Sequence, residues 1–197
     1  MTTLTSRVSW MSPCCCHLPV RGHAEAVSAF VELHQQLIDC VSLGVLRVSP
    51  GGYHPAGQPH TIVLNDGDPL RLTRTPPLFV NVTLRYSITS ATARRTMETI
   101  QIVEYIYSLL LSDSPRSEFL AYHWHPRGNS RAHLPHLHIR DLTLGEDSPL
   151  RRRHVLTGQV TLVEVVQMLI DEFQVRPRKT HWPLVLAEAR RQLDDLG

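Results

Sequence analysis

Residues 78–90 alternate, apolar on one face and, Phe79 apart, polar on the other. Leu78, Val80, Val82, Leu84, Tyr86 and Ile88 fall on one face; Asn81, Thr83, Arg85 and Ser87 fall on the other. A period of two over this length predicts a long, half-buried β-strand. Such a strand needs partners on both edges and a layer over its apolar side. Partners are at hand. Residues 97–111 are rich in β-branched and aromatic side chains and predict a second long strand, closed by the turn Ser112-Asp113-Ser114-Pro115. Phe119–His125 and Pro135–Asp141 complete an antiparallel meander of at least four strands.

Helical periods flank the meander. Val27, Phe30, Val31, His34, Leu37, Ile38 and Val41 recur at three- and four-residue steps, predicting a helix over 23–43 with Gly44 as its C-cap. His34 lies on that stripe and reads as a core or boundary histidine. Residues 45–77 are rich in Gly and Pro, with short strands expected at Val45–Val48 and Thr61–Leu64. Thr161-Leu-Val-Glu164 is a capping box opening a helix to about Phe173. Pro177 interrupts, and a last helix is expected over Trp182–Leu193. Residues 1–21 read as irregular, with at most a short strand near Val8–Trp10. The expectation is one α+β domain over 1–197, with a helix at 22–44, a sheet at 45–141 and a helical pair at 160–195. Its antiparallel sheet has five or more strands, covered on its apolar face by the N-terminal helix and the two C-terminal helices.

Composition excludes some classes. The chain has 197 residues, 42% hydrophobic and 19% charged, ordinary for a soluble globular protein. A formal charge of +2 is too small to imply nucleic-acid binding by itself. No apolar run is long enough for a membrane span, and the N-terminus lacks a signal-peptide layout. Three of the four cysteines are consecutive, Cys14-Cys15-Cys16, which is a poor disulfide framework. With His17 they read as a loop of small residues, not a metal cluster. A cytoplasmic protein with reduced thiols is expected.

Histidine is the outlier: there are 12, and seven lie between His123 and His181. His123-Trp-His125 and His136-Leu-His138 are two His-x-His pairs, each placing both imidazoles on one face of a strand. Directly paired residues of an antiparallel ladder share a face. All four imidazoles therefore meet only if paired residue numbers sum to 261 or a nearby odd number. Arg140 would lie beside them, and the connecting loop carries Arg127, Arg131 and His133. Three readings of the patch stay open. It is a polar sheet face of stacked, hydrogen-bonded histidines; or a site for Zn or another divalent transition metal on His123, His125, His136 and His138, with Glu104 and Asp141 the nearby acidic candidates; or a metal-free acid–base site for phosphodiester cleavage. In the last, His123 or His136 is the base, His125 or His138 the acid, and Arg140, Arg127 and Arg131 hold the phosphate.

The run Tyr122-His-Trp-His-Pro126, then Pro135-His-Leu-His-Ile139, then a capped helix, is similar to a family of small actinobacterial proteins of unassigned function. Over about residues 97–175 it also loosely resembles TumE-like toxins of toxin–antitoxin pairs. This chain has a longer N-terminal half and lacks the aromatic-Asp-Asn-Ala segment associated with those toxins. The resemblance implies a toxic activity on RNA, a helix-turn-helix antitoxin encoded next to it, and catalytic roles for the four histidines. A ribonuclease-like toxin is thus the favoured expectation; a metal-binding protein or metalloenzyme and a non-catalytic partner-binding protein are the alternatives.

Other motifs carry less. Arg151-Arg152-Arg153-His154 could hold a phosphate backbone but reads as a solvated loop. Arg176-Pro-Arg-Lys179 sits in the turn of an αα-hairpin whose acidic second helix disfavours DNA. Cys40 reads as core. No phosphate loop follows Gly51-Gly52, and no Gly-x-Ser-x-Gly elbow is present.

Overall fold

The computed structural model describes residues 15–16, 23–49, 55–89, 99–127, 132–140, 148 and 153–194. Among the described residues, nine strands form one antiparallel sheet: β1 (Cys15–Cys16), β2 (Leu46–Ser49), β3 (Pro59–Leu64), β4 (Leu70–Leu72), β5 (Leu78–Thr89), β6 (Thr99–Leu110), β7 (Glu118–Trp124), β8 (His136–Ile139) and β9 (His154–Leu156). The main path runs β2-β3-β5-β6-β7-β8-β9, with β1 paired to β6 and β4 to β5. Three helices join it: α1 (His23–Ile38), α2 (Leu162–Asp171) and α3 (Trp182–Asp194). The fold is α+β, built on a strand meander. None of the described helices is long and apolar enough to cross a membrane.

The alternation in β5 does what its period requires. Leu78 through Ile88 are buried at every second residue, and the residues between them are half-exposed. Each of those buried side chains contributes about 1.5–3 kcal/mol relative to exposure. β6 continues the apolar face with Tyr105, Tyr107 and Leu109, opposite Leu84, Val82 and Val80. Helices cover this side: Phe30 of α1 meets Tyr86 with ring centroids 5.4 Å apart, and Tyr122 Oη donates to Met168 Sδ of α2 at 3.5 Å. The Tyr105 hydroxyl accepts from Val160 N at 2.9 Å, tying the approach to α2 onto the sheet. The capping box at Thr161 and Glu164 is present, with Glu164 accepting the Thr161 N–H at 2.6 Å.

Two irregularities set which side chains face which way. Arg85 pairs with Glu104 but Tyr86 pairs with Ile102, leaving Val103 as an extra residue in β6. Leu109 pairs with Leu120 but Leu110 pairs with Glu118, leaving Phe119 extra in β7. Each bulge moves the following residues to the opposite face.

Several expectations are corrected. Residues 45–77 carry three strands where two were expected, because Leu70–Leu72 adds to β5. α1 stops at Ile38, and turns with bonds such as Ser42 N to Ile38 O carry the chain onward. Gly44 is therefore not its cap. A Cβ at Gly44 would collide with Leu70 Cδ2 and lie 2.9 Å from Leu64 Cδ1, so glycine serves close packing there. Cys15 and Cys16 were expected in a loop; their backbone pairs with Gln101 and Ile100. His154 was expected in a loop too, and it opens β9. The strand expected near Val8–Trp10 lies outside the described residues.

Candidate metal centre

β7 and β8 pair with His123 opposite His136 and Ala121 opposite His138, so partner numbers sum to 259. The parity is the one that gathers the imidazoles; the register is shifted by two from 261. His125 lies just past the end of β7. The four rings converge: His123 to His138 is 4.3 Å between centroids, His136 to His138 4.8 Å, His123 to His125 5.5 Å and His125 to His136 5.5 Å. They occupy the sheet face opposite the helices, because Trp124, Tyr122 and Leu120 take the alternate positions toward the core.

A fifth imidazole joins from β9. His154 pairs with His138, and its ring lies 4.5 Å from that of His138 and 4.7 Å from that of His136, stacked on the latter at 12°. A three-residue strand after an arginine run is too short to reveal its period. The cue available in the sequence was His154-Val-Leu156 itself, an aliphatic pair with a histidine ahead of it.

His136 is the centre of the group and is fully buried. Its Nδ1 lies 2.7 Å from Leu134 O, and a carbonyl only accepts, so Nδ1 carries the proton. In the neutral ring Nε2 is then a bare lone pair. His138 Nε2, 2.9 Å away, donates to it. His123 Nε2 is buried with no hydrogen-bond partner. A buried polar nitrogen left unpaired costs free energy unless something fills its lone pair or takes its proton.

The surroundings hold several of these rings neutral. Burial, then the neighbouring His138, His125 and His136, then Arg140, pushes the pKa of His123 down to about 3. Burial with His154, His136, Arg140 and His125 pushes His138 down to about 4. His154 is lowered as well, by burial and by His136 and His125. Neutral imidazole is the form that binds metal.

Two groups place their ligand atoms within 4.8 Å of one another: His123, His125 and His136; and His136, His138 and His154. Tetrahedral Zn–N bonds of about 2.0–2.1 Å put neighbouring nitrogens ~3.3 Å apart. Closing either triad needs nitrogens to approach one another by at most ~1.5 Å.

The remaining expected residues are placed differently. Arg140 Nε bonds Glu118 Oε1 at 2.9 Å, and Glu118 also accepts from Ser108 Oγ at 2.6 Å. Glu104 pairs with Arg85 at 2.8 Å and joins neither triad. Arg127 and His133 are exposed on the loop after β7. Arg131, Asp141, Arg151 and Arg152 lie outside the described residues. Comparison with protein-family models, with curated proteins and with solved structures finds no match for this chain. Function therefore has to be read from the side chains.

Proposed function

We propose that this protein binds a divalent late transition-metal ion, of the Zn(II) or Cu(II) class, through imidazole ligands on the outer face of its sheet. The observation that carries this reading is the unpartnered, buried His123 Nε2 in a cluster where three-imidazole groups hold their ligand atoms within 4.8 Å of one another. Imidazole suits these ions, and a carbonyl on the far nitrogen is the usual way to fix a ligating tautomer. Leu134 O does this for His136. Three imidazoles leave a fourth position open for water or a substrate oxygen, which gives a bound ion Lewis-acid character. The test is metal analysis of protein purified without an immobilised-metal column. One tightly held equivalent is expected, lost in His136→Ala/His138→Ala; no bound Zn(II) or Cu(II) at micromolar metal would overturn the reading.

A second reading is metal-free cleavage of RNA by the toxin of a toxin–antitoxin pair. The hydrogen bond between His136 and His138 and the positive charge of Arg140 near both His123 and His138 favour it. It requires one protonated ring at neutral pH, which the lowered pKa values of His123 and His138 disfavour. RNA cleavage that survives EDTA, with growth arrest on induction that the histidine variants abolish, would put this reading first.

A further inference from the structure

The two triads have one residue in common. His136 belongs to the inner group with His123 and His125, and to the outer group with His138 and His154. An imidazole can bridge two ions only by using both nitrogens. His136 Nδ1 is committed to Leu134 O at 2.7 Å, so an ion can take only the Nε2 lone pair, displacing the hydrogen bond from His138 Nε2. One lone pair holds one ion.

We infer that the ladder binds a single Zn(II)- or Cu(II)-class ion in two alternative positions and passes it between them with His136 attached throughout. This inference rests on the metal reading above. The positions are adjacent, because His123 of the inner triad stacks on His138 of the outer one at 4.3 Å and 28°. Transfer needs only the exchange of two imidazoles for two others. The outer triad ends on exposed His154 in the edge strand β9, whereas the inner triad ends on half-buried His123 and His125. The route therefore runs from the sheet edge inward. Both triads are all-imidazole. Like donors in both positions give neither an advantage by ligand type, as exchange between them requires.

The experiment uses the full chain with Cu(II) alone, then Zn(II) alone. Native mass spectrometry and calorimetry should give one tight equivalent of either metal. Electron paramagnetic resonance of the Cu(II) form should show two superimposed nitrogen-ligated species. H125A should collapse the spectrum onto the outer species and H154A onto the inner one. Each variant should keep one equivalent, with affinity reduced about 3- to 30-fold. These two lie at the rim of the cluster, so neither deletes the buried centre. Two equivalents in the native protein, or a single species indifferent to H154A, overturns the inference while leaving the metal reading intact. No bound equivalent of either metal overturns both.

Discussion

Among the regions where imidazoles are desolvated, α1 and the β7–β8 face solve the same problem differently. On α1, His34 is buried, its Nδ1 donates to Phe30 O at 2.8 Å, and its ring lies 4.3 Å from that of Phe30. Burial pushes its pKa down to about 4. On the sheet, burial pushes His123 down to about 3, yet its Nε2 has no partner and its neighbours are other imidazoles. Desolvation alone therefore does not mark a site. What separates the two is the partner: His34 gives its N–H to a carbonyl of its own helix, whereas the sheet imidazoles gather ligand nitrogens within 4.8 Å of one another.

The comparison can be broken most severely at His136. Replacing it by Ala should cost at least about a thousandfold in Zn(II) or Cu(II) affinity, about 4 kcal/mol, read by calorimetry. His34→Leu should leave that affinity unchanged. Retained metal binding in H136A would remove the distinction between the two regions.

Acid should act on both regions, and on α1 its effect can be isolated. The folded-state pKa of His34, about 4, lies below its unfolded value of 6.5. The unfolded chain therefore binds the extra proton between those values. Stability contributed by the neutral ring is complete above pH 6.5, falls as pH drops toward 4, and amounts to about 3 kcal/mol. Urea melts of the metal-free protein at pH 7 and pH 4.5 should show most of this loss in native protein. In H34L that part of the acid sensitivity should vanish, while stability at pH 7 changes by about 1 kcal/mol. An unchanged acid slope in H34L would show that the buried ring on α1 is not what acid attacks.

The smallest effect is expected at Glu118→Gln. It weakens the hold on Arg140 without touching an imidazole, so metal affinity should move less than about threefold. A larger loss would extend the centre to the Glu118–Arg140 pair.

The sheet and helices were legible because their signals are long. β5 spans six clean alternations, and α2 announces itself with Thr161 and Glu164. The site was half legible. His-x-His spacing put His123 and His125 on one face and His136 and His138 on one face, and odd parity of the paired numbers was the condition for their meeting. The register itself depends on the loop between β7 and β8 and on cross-strand packing, which period does not encode. His154 was hidden because three residues carry no usable period and an arginine run preceded them. Arg140 looked free in sequence because its partner Glu118 is twenty-two residues away and reaches it only through the β7–β8 pairing.

The extra residue at Phe119 has a consequence for how this protein tolerates change. Before the bulge, β6 and β7 pair with Leu110 opposite Glu118; after it, Leu109 lies opposite Leu120. Remove Phe119 and the ladder only becomes regular, with Glu118 and Leu120 still opposite Leu110 and Leu109 and His123 still on its face. Remove Ala121 instead, where no residue is spare, and the strand continues out of phase. His123 would then point at α2, while Tyr122 and Trp124 would turn outward. Substitutions at the site would erase ligands one at a time. A one-residue deletion outside it would act as a frameshift in three dimensions, leaving every histidine in the chain and dispersing the centre they form.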